Sequence, residues 1–155
     1  KIRFMKALLI ILSINFMSYQ NDISEVRKLY LAAYASENDC NNFGNKLKKT
    51  EKKSILIKGY KGCFYFIKCQ FINNPFKKLK YFDKGKELLE SAIKEDPQSV
   101  ELKFLRYSIQ KNLPRFLFYY ENIEKDFSFI KNNINRIKDK KEQIFIAKSL
   151  KQISK

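Results

Sequence analysis

The sequence predicts an all-α protein built as an antiparallel bundle of five to seven helices. Apolar residues recur at intervals of three and four through most of the chain, as they do in helices that bury one face. Proline and asparagine interrupt this pattern and leave short connections, which make successive helices antiparallel neighbours. The chain has 155 residues, of which 45% are hydrophobic and 15% aromatic. This length and composition suffice for one buried core.

The N-terminal residues resemble a secretory signal peptide. Residues 1–6 contain three basic side chains, and residues 7–12 begin an apolar stretch that is too short to span a bilayer. Small or polar residues follow at 18–21. We therefore assign residues 1–20 to a signal peptide and residues 21–155 to a single helical domain, which predicts a periplasmic or secreted protein. The alternative is that the N-terminal residues form a buried helix or strand.

Two helices are predicted at the start of this domain. Asn21 or Asp22 can cap the first, and its apolar face contains Ile23, Val26, Tyr30, Ala33 and Tyr34. A weaker helix or a loop follows over residues 39–50. Gly44 disfavours the helix there, because glycine loses more backbone freedom than other residues when it becomes helical.

Residues 54–72 form the most apolar segment of the chain. Apolar side chains would surround a helix of this sequence on nearly every side, which is typical of the centre of a bundle. Aromatic and β-branched residues also permit a strand over residues 63–72, and we keep the strand as the alternative. Asn73, Asn74 and Pro75 end the element.

The strongest helix signals lie between residues 82 and 109. One helix face contains Phe82, Gly85, Leu88, Leu89, Ala92 and Ile93. This helix should end near Glu95, because Asp96 precedes a proline and is therefore disfavoured in helical conformation. Ser99 can cap a second helix, whose apolar stripe contains Leu102, Leu105 and Ile109. Two helices joined so closely form a hairpin, which we expect to organise the core.

Two further helices are predicted after a break at Asn112 and Pro114. Asn122 can cap the first, whose apolar residues recur at intervals of four, three, four and three: Ile123, Phe127, Ile130, Ile134 and Ile137. The last helix runs from Glu142 towards the C terminus. Its lysines lie opposite an apolar face that contains Ile146, Ala147, Leu150 and Ile153.

The residue type that acts most often as a general base in enzymes, histidine, is absent. The chain has no histidine, which excludes Ser-His and Cys-His nucleophile pairs and the H-E-x-x-H zinc motif. Cys40, Cys63 and Cys69 match no metal-binding spacing. We interpret them as buried thiols, with a disulfide from Cys40 to one of the others as the alternative in an oxidising compartment. The sequence thus predicts a protein that is not an enzyme and that uses no metal or cofactor. The alternative is an enzyme with a carboxylate dyad such as Asp83 and Glu87, which a solvated helix face explains more simply.

The first functional hypothesis is an interaction module that binds a protein or peptide in a groove between helices. Aromatic residues and arginine contribute most of the binding energy at many interfaces. They concentrate after the hairpin, and the candidate interaction surface is Arg106, Tyr107, Arg115, Phe116, Phe118, Tyr119 and Tyr120. Alternatively, this cluster closes the core between the hairpin and the following helix.

The second hypothesis is a basic binder of anionic lipid, glycan or nucleic acid. The formal charge of +16 comes from 32 basic and 16 acidic residues, and such a charge favours acidic partners. The candidate basic face consists of Lys131, Lys138, Lys141 and Lys148. A simpler explanation of the high positive charge is an AT-rich coding sequence, since lysine, asparagine and isoleucine are all abundant.

Two resemblances accompany these patterns. Four hairpin residues resemble the small, large, small and proline positions that end a tetratricopeptide repeat: Gly85, Leu89, Ala92 and Pro97. The resemblance covers about half of one repeat and implies a tetratricopeptide-like hairpin. It fails at four positions of the next helix: Lys103, Arg106, Tyr107 and Gln110.

The segment from Glu101 to Asp126 is similar to small exported helical proteins of Bacteroidetes that carry no assigned activity. This likeness extends over most of the mature chain. It implies an envelope or secreted location, and it supplies no functional residues.

Overall fold

The structure is a computed structural model that describes residues 22–50 and 54–153. Over these ranges the chain forms seven α-helices and three short 3-10 turns, with no strand. The predicted all-α bundle is therefore confirmed. The signal peptide assigned to residues 1–20 lies outside the described residues. A tetratricopeptide-like arrangement of the helices stays a prediction.

The seven helices are α1 (22–32), α2 (Glu37–Lys49), α3 (Ile55–Lys68), α4 (Pro75–Glu95), α5 (Val100–Asn112), α6 (Ile123–Asn133) and α7 (Lys140–Ile153). The 3-10 turns are Cys69–Phe71, Arg115–Leu117 and Ile134–Arg136. No helix among the described residues is long and apolar enough to cross a membrane.

Local signals explain most helix ends. Ser99 caps α5 as predicted, because its Oγ accepts a hydrogen bond from the backbone N–H of Leu102 at 3.2 Å. Helix α4 ends at Glu95 as predicted but begins earlier than Phe82. The segment before Phe82 is helical because the Asn74 side chain caps α4 and proline occupies its first position. Asn122 precedes α6, but its side chain makes no capping hydrogen bond.

Helix α3 lies at the centre of the bundle, in contact with α2, α4 and α5. The strand alternative for residues 63–72 is therefore wrong. Two glycines allow α3 and α4 to cross closely: a Cβ atom on Gly62 would lie 2.8 Å from the carbonyl oxygen of Gly85. A Cβ atom on Gly59 would lie 2.3 Å from the Leu102 side chain of α5. The contact at Gly62 is with backbone, so glycine sets the spacing of α3 and α4 there, whereas at Gly59 the Leu102 side chain would have to shift.

Helix α5 is buried on nearly every side, between α3, α6 and α7. Four of its polar residues are between 1% and 7% exposed: Glu101, Arg106, Ser108 and Gln110. Charged groups are stable in such a place only when they are paired. Glu101 pairs with Arg27 of α1, and Arg106 pairs with Asp126 of α6, each with a shortest contact of 2.7 Å.

Candidate docking groove

A groove opens between the first two turns of α4 and the segment that follows α5. Its volume is about 410 Å³. Apolar side chains form most of its walls, including Pro75, Leu79, Phe82, Leu113, Pro114 and Phe116. Lys78 is the charged residue among those that line it. Pockets of this kind accept apolar side chains of a ligand. We call it the docking groove.

Large apolar side chains stand exposed around the docking groove. Leu79 on α4 and Phe116 on the opposite wall line the groove and are 57% and 73% exposed. Phe76, three residues before Leu79 on α4, is 84% exposed. Single exposed apolar residues are common, but several together on one surface mark binding sites. The clustering at one groove, rather than the exposure of any one residue, therefore distinguishes this surface.

The local sequence explains how both walls are built. Asn74 and Pro75 start α4 at the edge of the groove, so that its first turns project Leu79. On the other wall, Pro114 forces Leu113 into an extended conformation and ends α5. The 3-10 turn Arg115–Leu117 follows immediately, which places Phe116 beside the first turns of α4.

Tyr119 anchors this second wall to the core. Its ring stacks on Phe66 with the centroids 5.6 Å apart, and its hydroxyl donates to Glu90 at 2.5 Å. Burial, followed by the neighbouring carboxylate of Glu90, raises the pKa of the Tyr119 hydroxyl, so it remains a donor. With Tyr119 inside, Phe118 and Tyr120 on either side of it are exposed.

Phe118 has a left-handed backbone, with φ 49° and ψ 41°. It is the non-glycine residue with positive φ in the described part of the chain. A left-handed residue with a Cβ atom costs roughly 1 kcal/mol or more. The Phe118 side chain is 71% exposed, so its own burial does not offset this strain. Such strain is common where a residue is retained for binding.

Three residues of the candidate interaction surface are buried, so the prediction is wrong for them: Arg106, Tyr107 and Tyr119. Arg106 hydrogen-bonds to both Asp126 and Glu90, each at 2.7 Å. Tyr107 stacks on Phe127 with the ring centroids 5.5 Å apart. The physical reason is that α5 is an inner helix, so its second face contacts other helices instead of solvent.

The other four residues of that surface are exposed: Arg115, Phe116, Phe118 and Tyr120. Phe116 lines the docking groove, and the Arg115 guanidinium lies 5.7 Å from the centre of the Tyr120 ring. The sequence did not predict the wall at Leu79 or the exposed Phe76 three residues before it. Asn74 as the N-cap and Pro75 at the first helical position would have predicted this part of α4, because together they start the helix before these residues.

The four lysines of the candidate basic face are exposed, but they lie on different elements. Lys131 belongs to α6, where its ammonium lies over the Phe127 ring at 5.5 Å. Lys138 lines a cleft between the helices. Lys141 and Lys148 are seven residues apart on α7 and therefore share one face.

The cysteines are free thiols in the structure. Cys40 and Cys63 are buried, and burial raises the pKa of Cys40 to about 11. Cys69 is partly exposed at the docking groove, and burial raises its pKa as well. Thiols with raised pKa values are poor nucleophiles. Among the described residues, no cluster of histidine, cysteine or acidic side chains is arranged to hold a metal ion.

Comparisons with protein-family models, with curated proteins and with solved structures gave no match for this chain. The interpretation of the docking groove therefore depends on its geometry and chemistry.

Proposed function

We propose that the protein is a non-enzymatic interaction module that binds a peptide segment of a partner protein in the docking groove. One observation carries the proposal: Leu79 and Phe116 are exposed on the two walls of an apolar groove. Leaving them in water costs free energy, which a docked apolar segment would recover. Export of the protein, inferred from residues 1–20, would place the partner in the periplasm or outside the cell.

The charge around the groove specifies the partner further. Lys77, Lys78 and Lys80 are exposed in the first turns of α4. Lys111 and Arg115, next in sequence to lining residues of the other wall, are exposed as well. Among the described residues that line the groove there is no carboxylate. We therefore propose a partner segment with apolar anchor residues flanked by aspartate or glutamate. The apolar anchors supply most of the affinity, while the flanking charges mainly accelerate association.

A displayed library of random peptides tests this function. Selected peptides should combine two or more large apolar residues with acidic ones. In fluorescence anisotropy with the selected synthetic peptide, Leu79→Ser and Phe116→Ser should each weaken binding roughly tenfold, as expected for residues that anchor a ligand. Both residues are exposed, so the fold should tolerate the changes.

Ile144 provides a matched control, because it is 51% exposed but lies on α7, outside the docking groove. Ile144→Ser should bind the selected peptide as well as the parent protein does. Failure to enrich any peptide, or equal loss of binding in all three variants, would contradict the proposal.

A second function has one observation in its favour. The outward face of α7 presents Lys141, Lys148 and Lys151 around the exposed Ile144, whereas its carboxylate, Glu142, points inward. Such a face suits an anionic surface. The pair Lys141→Gln and Lys148→Gln should reduce binding to vesicles with anionic lipid more than Lys77→Gln and Lys80→Gln, which remove equal charge. If the two double variants lose vesicle binding equally, the binding depends on the overall charge of the protein and not on the face of α7.

A further inference from the structure

A second cleft lies between α1, α5 and the end of α7, and it carries no charge. Its volume is about 420 Å³. Hydroxyl, amide and aromatic groups line it, among them Tyr34, Gln70, Ser108, Asn112, Ser149 and Gln152. None of the described lining residues is charged, although 31% of the chain is. The cleft at the start of α7 contrasts with it, because Asp96, Asp139 and Lys138 are among its lining residues.

Three hydroxyl groups form a relay at the inner wall of this neutral cleft. The Tyr30 hydroxyl lies 2.7 Å from Ser108 Oγ and 3.4 Å from the Tyr34 hydroxyl, and in each contact either oxygen can be the donor. Burial raises the pKa of both tyrosines, so the relay stays protonated. A hydroxyl can both donate and accept, and its hydrogen rotates to suit the partner.

Amides and apolar groups complete the neutral cleft. Gln70, Asn112 and Gln152 are exposed among its lining residues, and an amide offers donors and an acceptor together. The Asn112 amide is oriented by a hydrogen bond to the Ser108 carbonyl oxygen, at 2.8 Å. Leu31, 48% exposed, supplies an apolar wall. The cleft therefore presents alternating polar and apolar groups without any ion-pairing partner.

We propose that the neutral cleft binds an uncharged polyhydroxylated ligand, a saccharide. A phosphate or carboxylate would need arginine or lysine, and an amine would need a carboxylate, and none of these is among the described residues that line the cleft. A saccharide presents adjacent hydroxyls that both donate and accept, together with C–H faces. Those features match the amides, the hydroxyl relay and the apolar wall. The neutral cleft adjoins the docking groove, because Gln70 and Asn112 line both, whereas Tyr34, Ser149 and Gln152 line the neutral cleft and not the groove. A saccharide in the neutral cleft therefore differs from a ligand in the groove by its effect at Gln152.

Titration of the isotope-labelled protein with glucose, N-acetylglucosamine, cellobiose and maltose tests the proposal by NMR. Glucose 6-phosphate and glucosamine serve as charged counterparts. At least one neutral sugar should shift the side-chain amide signals of Gln70, Asn112 and Gln152 saturably at concentrations up to about 50 mM, a range that detects millimolar Kd values. A disaccharide that binds more tightly than its monosaccharide would indicate a glycan chain as the source, and equal binding a free sugar.

Substitutions test whether the NMR shifts arise from binding in the neutral cleft. Gln152→Glu places a charge among the lining residues, and Tyr34→Phe removes one relay hydroxyl; each should weaken binding roughly threefold or more, the range for one hydrogen bond. Gln98→Glu adds the same charge at an exposed position outside the neutral cleft and should change nothing. The proposal is overturned if no neutral sugar shifts these amides, if glucose 6-phosphate or glucosamine binds as tightly as its neutral counterpart, or if Gln152→Glu behaves like Gln98→Glu.

Discussion

Two buried arginine–carboxylate pairs each include one residue of α5, and the charges around the two pairs differ. Arg27 donates to Glu101 through Nε and Nη2, at 2.8 and 2.7 Å. Arg106 donates to Asp126 through the same two nitrogens, at 2.7 and 2.9 Å. Both pairs thus have the bidentate geometry that makes such bonds strong.

Carboxylates outnumber the arginine around Arg27. Asp139 and Glu142 lie 3.4 and 3.7 Å from its guanidinium, in addition to Glu101. Burial, followed by the charge of Glu101, raises the pKa of Glu142 to about 7, although Arg27 opposes this shift. The Tyr60 hydroxyl also donates to Glu101, at 2.5 Å. This region therefore has a carboxyl group that titrates near neutral pH.

Charges are more evenly matched around Arg106. Glu90 lies 2.7 Å from its guanidinium, and the Lys103 ammonium lies 4.0 Å from Asp126. Two cations thus face two carboxylates, and Glu90 is 35% exposed to solvent. Equal hydrogen-bond geometry therefore does not imply equal electrostatics, because the surrounding charges determine which pair depends on pH.

The largest expected effect comes from removing each arginine in turn. Arg27→Met leaves Glu101 buried beside other carboxylates and should lower the free energy of unfolding by about 4 kcal/mol. Arg106→Met should cost less, about 2 to 3 kcal/mol, because Lys103 remains near Asp126. Urea denaturation at neutral pH measures both values.

The double variant with Arg27→Met and Glu101→Met is the control for this prediction. It removes both charges and should be more stable than Arg27→Met alone. Equal losses for the two arginine variants would show that the neighbouring charges do not distinguish the two regions.

The next largest effect concerns pH. The pKa of Glu142 is raised in the folded protein, so its protonated form stabilises the fold in acid, and this stabilisation is lost as pH rises from about 4.5 to about 7. Glu142→Gln should therefore be more stable than the parent above pH 7. We expect a gain of about 2 kcal/mol, reduced from the full linkage value because 24% of the side chain is exposed.

Free energies of unfolding, measured between pH 4.5 and 8 for the parent and for Glu142→Gln, test this pH dependence. Glu87→Gln is a suitable control, because this side chain is 66% exposed on α4 and should leave the pH profile unchanged. A Glu142→Gln variant whose stability parallels that of the parent over the whole range would contradict the raised pKa.

The smallest effect is expected for Lys103. Its ammonium lies 4.0 Å from Asp126 and 4.6 Å from the centre of the Phe129 ring. Lys103→Met should cost about 1 kcal/mol in the parent, and more when Arg106→Met is also present, because Asp126 then loses its last neighbouring cation. A double-mutant cycle of Lys103→Met and Arg106→Met measures how much the cost of losing Lys103 depends on Arg106.

Lys84→Met is the matched control, because Lys84 pairs with Glu87 on the surface of α4. Exposed pairs contribute little, so this change should not alter stability measurably. Additive losses for Lys103→Met and Arg106→Met would mean that Lys103 does not support the Arg106 region.

The sequence predicted the helices well but the docking groove poorly. Ser99 and Pro97 define the α4–α5 turn through short-range effects on the backbone, so they are readable without a structure. Arg115 and Phe116 were identified as exposed candidates, whereas Leu79 on the wall opposite Phe116, and Phe76 near it on α4, were missed. The groove depends on two segments that are far apart in sequence, and no local pattern shows that they meet.

Local chemistry determined where the helices form and which apolar faces they bury, because caps, prolines and helical periodicity act within a few residues. Tertiary structure alone decided which polar residues lie inside. Glu101, Arg106 and Asp126 look like ordinary surface charges in the sequence, yet they are buried. Their partners come from other helices, and glycines such as Gly62 and Gly85 set how closely the helices approach. Burial of a charge depends on that long-range pairing, which helical periodicity does not encode.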